Sequence, residues 1–213
     1  MKFKQGRTLV IATVALWLLT VCSGLGLLWG YGSTPGVAAA ALEQWPADSP
    51  LRRAEDRATL VMLAHPHCPC TRASLRELAR LMTQARGRAA AYVLFVKPSA
   101  FPDGWEKTDL LAAAAGIPGV TVVRDDEGAE AGRFRAATSG QTMLYDAAGK
   151  LLFSGGITGA RGHEGDNAGR AAVVSLLGAG GAGQAETPVF GCPLFARKSE
   201  CVAGEDGGAK HDH

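Results

Sequence analysis

The chain of 213 residues is poor in aromatics, with seven Phe, four Trp and three Tyr. It also lacks a charge imbalance: 22 Lys and Arg against 20 Asp and Glu leave a net charge of +2. No basic block lies outside the N-terminus. Without a basic face there is no electrostatic footprint for nucleic acid, so no nucleic-acid partner is expected. Cysteine is scarce as well, with five residues. That is not the density of a disulfide scaffold, and a chain of this length buries a core without covalent staples.

One long uncharged run is present. Lys2, Lys4 and Arg7 precede residues 9–29, which carry no charge. A helix rising about 1.5 Å per residue would span roughly 30 Å there, the hydrocarbon thickness of a bilayer. Trp29 and Tyr31 suit the far interface, and the leading cations place the N-terminus in the cytoplasm. The run is long for the apolar region of a signal peptide, whose cleavage site would fall in residues 37–41, so an uncleaved anchor is expected. Leu19-Thr20-Val21-Cys22 resembles a lipoprotein box, but Val21 fits it poorly and the apolar run continues beyond it. Cys22 reads as an inert apolar residue of the anchor. The expected layout is an anchor over residues 1–31, a tether over 32–57 with some order near Trp45, a domain over 58–180, and a cysteine-containing tail over 181–213.

Within the domain, the apolar run 59–64 reads as a buried strand. It ends in His65-Pro66-His67-Cys68-Pro69-Cys70-Thr71, after which Leu75, Leu78, Leu81 and Met82 recur at helical spacing up to Gly87. A thiol between a strand and a helix N-terminus meets unpaired N–H groups and the positive end of the helix dipole. Both favour thiolate, the reactive form. Further along, residues 91–96 and 120–123 read as strands, and 105–115 and 127–137 as helices. Residues 141–145 and 150–154 read as a hairpin across Asp146-Ala147-Ala148-Gly149. A last helix, capped by Asp166 or Asn167, runs to about Leu177. Strands alternating with helices give an α/β domain with a mainly parallel sheet, and the hairpin makes it mixed. Glycine-rich residues 178–183 set off the tail, whose apolar patch 188–195 is expected to dock on the domain.

Residues 59–177 resemble a thioredoxin fold, and more closely its membrane-anchored TlpA-type and RedB-like members. The resemblance rests on the strand–thiol–helix unit at Cys68, on Arg124-Asp125-Asp126-Glu127-Gly128 with Phe134-Arg135-Ala136, and on Leu144-Tyr145-Asp146 with Gly149-Lys150-Leu151. The stretches around Cys68, Gly162-His163-Glu164-Gly165-Asp166-Asn167 and Phe190-Gly191-Cys192-Pro193 look RedB-like. The resemblance implies a three-layer, thioredoxin-like α/β fold and thiol–disulfide oxidoreductase chemistry. Two departures stand out. The cysteines are spaced Cys68-Pro69-Cys70, with Thr71 where a second thiol would stand. Ser139-Gly140-Gln141-Thr142 lacks the proline that such folds place before the fourth main strand.

Cys68 is the expected nucleophile, with Cys70 as its partner, either in a small strained ring or from the first helical turn. Supporting roles are expected of His67, which would tune the thiolate as a nearby partial cation, and of Thr71. His163 is another candidate, because the last strand should run parallel to the first and bring its following loop over the thiols. The simpler expectation for Cys192 is a bridge to Cys201; the alternative folds it back as a resolving thiol for Cys68 or Cys70. His65, His67, Cys68 and Cys70 form a possible soft-metal set for copper(I) or zinc, although no metal or other cofactor is expected. The terminal His211-Asp212-His213 reads as solvated tail. The expected function is a single-pass oxidoreductase of the inner membrane, its domain in the periplasm acting on disulfides or thiols of exported proteins. Its alternatives are a copper-delivery protein, similar in logic to Sco proteins, and a thiol peroxidase.

Overall fold

A computed structural model of the chain describes residues 2–37, 40–178 and 186–195. Two compact units divide at Thr34 and Pro35. The first is one helix, α1 (Lys2–Ser33). Its stretch Leu9–Ser33 is long and apolar enough to cross a membrane, and none of its most apolar window is buried. Exposed side chains such as Leu27 and Trp29 suit lipid rather than water.

The second unit is built on a five-stranded sheet in the order β3-β2-β1-β4-β5. Its strands are β1 (Ala58–Ala64), β2 (Ala89–Lys97), β3 (Val120–Asp126), β4 (Gln141–Tyr145) and β5 (Leu151–Gly156). β1, β2 and β3 pair in parallel; β4 runs antiparallel to β1 and β5 antiparallel to β4, so β5 is parallel to β1. The pleat sorts β1 between the two faces. Leu60, Met62 and Ala64 pack with Leu75, Leu78 and Leu81 of α2 (Pro69–Ala85), Leu110 and Ala114 of α3 (Asp109–Ala115), and Val173 of α5 (Ala168–Leu176). Val61 and Leu63 pack on the other face with Ala131 of α4 (Ala129–Arg133), Phe134 and Tyr145. A continuous apolar strand with both faces covered is what an interior position requires. The three layers match the expected fold.

Two helices are shorter than the sequence predicts. The helix expected over 105–115 begins at Asp109, because residues 98–108 fold as turns; buried Lys97 donates to the carbonyls of Pro98 and Phe101 and pins them. The helix expected over 127–137 is reduced to α4, since Glu127 and Gly128 both take positive φ. Buried Asp125 then caps it by accepting the N–H groups of Glu130 and Ala131. Elsewhere boundaries move by up to three residues, the most at the end of β3, and Asn167, not Asp166, caps α5 by accepting the Arg170 N–H at 2.8 Å.

Residues 40–57, expected as a tether, lie on this unit. Trp45 meets Phe134 and Tyr145 edge-on at 5.1 and 5.3 Å, and Gln44 bridges to Lys150. Residues 186–195 are stitched to it as well, with Val189 and Leu194 buried. The glycine-rich break and the 180/181 boundary fall largely outside the described residues, as do Cys201 and His211-Asp212-His213.

Candidate functional site

β1 delivers the chain to the edge of the sheet, and Pro69 opens α2 at once. Proline suits a first helical position, where its missing N–H costs no hydrogen bond. Cys68 is thereby the N-cap residue, in extended conformation, and Cys70 falls in the first turn. Both sulfurs are covered: Cys68 is 2 % exposed and Cys70 8 %.

The cover is the tail. Residues 137–139 lie alongside it through an isolated antiparallel bridge, Thr138 to Pro193. Ser139 N–H donates to the Cys192 carbonyl at 2.8 Å, and Leu194 N–H to the Ala137 carbonyl at 2.9 Å. Gly191 is buried so tightly that a Cβ there would run into the Ser139 carbonyl. This pairing brings Cys192 Sγ to 2.9 Å from Cys68 Sγ. Both remain free thiols, and the separation exceeds the roughly 2.05 Å of a disulfide. The expected alternative partner, Cys201, lies outside the described residues.

Three sulfurs thus share one site and titrate against one another. The Cys68 thiol is pushed down to about 4. The largest cause is a hydrogen bond from the Cys70 thiol; burial opposes it, and a hydrogen bond from Cys192 adds to it. No first-turn amide makes a strict capping bond to Cys68, yet the N–H groups of Cys70 and Cys192 lie close enough to favour the thiolate. Cys70 is pushed up, first because it donates to Cys68 and then by burial. Cys192 is pushed up to about 11, first by burial and then by its bond to Cys68. The arrangement is one thiolate held by two neutral thiols.

The two histidines that precede Cys68 differ in setting. His65 is held below its ordinary value chiefly by burial, so at neutral pH it supplies no positive charge. His67 is exposed; its Nε2 bonds to the Trp105 carbonyl at 2.9 Å, and its ring packs on Trp105 at 4.5 Å. Phe101 stacks on Trp105 at 4.3 Å. Trp105, expected only to fill the core, is half-buried and packs with His65, His67 and Phe101. Among the described residues no group of three or more His, Cys, Asp or Glu side chains converges as a metal site. The set His65, His67, Cys68 and Cys70 is therefore not gathered for one.

Thr71 is buried and structural. Its hydroxyl donates to the His65 carbonyl at 3.1 Å and pairs with the Ser139 hydroxyl at 2.9 Å, while Ser139 accepts the His65 N–H at 2.9 Å. This hydroxyl chain locks the thiol loop to the strip that carries the tail. Gly140 completes the lock, with φ +88° and its N–H on the Leu63 carbonyl at 2.7 Å. Ser139 thus anchors the position where a proline is missing.

His163 lies in the predicted loop but is exposed, and its amide closes a turn on Ala160. The side chain that reaches the site from that loop is Arg161, whose guanidinium donates to the Gly191 carbonyl. Sequence reasoning missed Arg161, because an arginine in a glycine-rich loop carries no motif; the predicted overhang of the loop was the only signal.

No family model matches the chain, and no curated protein matches its sequence. Solved structures do. An uncharacterized conserved protein from Geobacillus kaustophilus superposes with a TM-score of 0.56 at 21 % identity, over 78 % of this chain and 94 % of that one. A hypothetical protein from Sinorhizobium meliloti 1021 gives 0.55 at 23 %, over 76 % and 93 %. An exposed lipoprotein thioredoxin from Streptococcus pneumoniae is more distant, at 0.44 and 14 %, over 65 % and 98 %. With β5 returned parallel to β1 and the thiols at the mouth of α2, the second unit has a thioredoxin-like fold, and ahead of it stands one helix able to cross a membrane.

Proposed function

We propose that the protein is a membrane-anchored thiol–disulfide oxidoreductase in which Cys68 is the nucleophile and Cys192 the resolving thiol. The observation that carries this reading is the 2.9 Å contact between their sulfurs, made across 124 residues of sequence. The Cys68 thiolate attacks a client disulfide R–S–S–R′. A Cys68–S–S–R bond forms, and R′–S⁻ leaves with the bonding pair and takes a proton from water. Cys192 then loses its proton and attacks Cys68 Sγ, forming a Cys68–Cys192 disulfide and releasing R–S⁻. The client gains two electrons and the protein loses two; the reverse sequence oxidises a client dithiol. Cys70 stays neutral throughout and donates to the Cys68 sulfur. α1 holds the domain at the membrane, with the domain facing the periplasm, so the clients are exported proteins.

The test is a trap. Cys192→Ser expressed in its own membrane should accumulate mixed disulfides at Cys68, visible as slower bands on a non-reducing gel and lost on reduction. A trap appearing with Cys70→Ser and absent with Cys192→Ser would transfer the resolving role to Cys70. No trap with either would remove the exchange mechanism. A reporter fused after His213 that works only in the cytosol would overturn the orientation.

A further inference from the structure

The loop between β5 and α5 sends one side chain to the tail. Half-buried Arg161 donates from Nη1 to the carbonyl of Gly191, the residue next to Cys192. The tail is also held by the Ser139 and Leu194 backbone bonds. The peptide that presents the thiol is therefore held both by the backbone of residues 137–139 and by a guanidinium. The Arg161 charge also acts on Cys192 and Cys70, drawing both thiols down against the burial that raises them.

We propose that Arg161 is the positioning residue of the resolving step, gripping the Gly191–Cys192 peptide so that the tail sulfur faces Cys68. This rests on the reading of Cys192 as the resolving thiol. Once a client is joined to Cys68, that sulfur carries no charge and no longer opposes ionisation of Cys192. The groups facing Cys192 are then Cys68 and Cys70 from the start of α2 and Arg161 from its loop. His65 and His67 flank Cys68, and His163 in the arginine's own loop is exposed. Cys192 releases its proton to water beside the guanidinium, and its thiolate attacks Cys68 Sγ. The Cys192–Cys68 bond forms as the Cys68–client bond breaks, and the client sulfur leaves with the electron pair. Arg161 touches neither reacting sulfur in this account; it acts through the peptide and through its field.

The experiment uses the full-length protein in detergent, with Cys22 and Cys201 changed to serine, reduced and then mixed with a chromogenic aromatic disulfide. The first thiolate released reports attack by Cys68, and the second reports resolution. Arg161→Ala should leave the first phase within about twofold and slow the second by about ten- to a hundredfold, the scale of losing a charged hydrogen bond. The pH at which the second phase reaches half its maximum should rise in Arg161→Ala and return in Arg161→Lys, which restores the charge and part of the rate. A merely structural arginine would not shift that midpoint. If Arg161→Ala does not fold, Arg161→Gln keeps a donor without the charge and should show the same pH shift with a milder slowing. A second phase unchanged in the arginine variants but abolished by Cys192→Ser would overturn the role of Arg161 alone. A second phase that persists in Cys192→Ser would overturn both this role and the resolving thiol.

Discussion

Removing the Cys70 thiol should weaken the Cys68 thiolate by a calculable amount. The hydrogen bond from Cys70 is the largest cause of the Cys68 value near 4. A hydrogen bond to a charged group contributes about 1.5–3 kcal/mol, and one pKa unit corresponds to about 1.4 kcal/mol. Cys70→Ala should therefore raise the Cys68 midpoint by about one to two units, to ~5–6. It should not restore an ordinary thiol, because the hydrogen bond from Cys192 and the nearby N–H groups remain. Cys70→Ser keeps an O–H in the same turn and should move the midpoint much less. The assay is the rate of alkylation of the reduced protein against pH, with mass spectrometry assigning the label to Cys68. An unchanged midpoint in Cys70→Ala would refute the hydrogen-bond account and return the cause to the helix terminus. A serine variant that shifts as far as alanine would refute it too, since the donor would then be irrelevant.

Three further outcomes are expected. The depressed Cys68 value makes stability depend on pH. The group is stabilising above its unfolded midpoint of about 8.5, and that contribution drains away as pH falls toward the folded value near 4. The urea midpoint of the reduced protein should rise between about pH 5 and pH 8 more steeply than that of Cys68→Ser; parallel curves would contradict it. Gly191→Ala should dislodge the tail by forcing a methyl group against the Ser139 carbonyl. Oxidation to the Cys68–Cys192 disulfide, followed by gel shift after alkylation, should slow at least tenfold, and an unaffected rate would show that the strip need not pair. Glu77 is fully buried between Arg80 and Arg170 and accepts the Gly165 N–H. Glu77→Ala should cost about 1–3 kcal/mol by leaving the Gly165 N–H without its acceptor and the Arg170 Nε without its carboxylate, while Asp166 still pairs with Arg170, read by chemical denaturation; an unchanged stability would mean that water replaces the carboxylate.

Local patterns made much of the fold legible. The apolar run 59–64 and the spacing of Leu75, Leu78, Leu81 and Met82 are short-range signals, and they placed β1 and α2 within two residues. The hairpin was legible for the same reason. Trp105 was misread because a helical count ignores what Pro102, Gly104 and a pinned Lys97 do to the preceding turns. The site was only half legible. Cys68 and Cys70 announce themselves by position, but the partner of Cys68 lies 124 residues away and is chosen by strand pairing at Thr138. Nothing in the spacing of the four cysteines that follow α1 distinguishes that pairing from its alternatives. His163 was drawn into the argument by a correct topological step, the parallel return of β5, which located the loop but not the side chain that reaches inward.

The tail has a consequence for the order in which the molecule comes into being. A chain synthesised from its N-terminus makes α1 first, Cys68 next and Cys192 only after every strand and helix of the domain. Every strand and helix of the domain is already synthesised by Leu176, while the segment that shields Cys68 comprises residues 186–195. Until that segment emerges, the Ser139 N–H and the Ala137 carbonyl have no partner, Cys68 lies open, and the apolar seat of Leu194 is empty. A nascent or prematurely ended chain would carry an unguarded nucleophile beside an unpaired strip of backbone, the combination that most readily captures a neighbouring cysteine-bearing segment. Under the proposed mechanism, docking of residues 186–195 is thus the step that covers the Cys68 thiol.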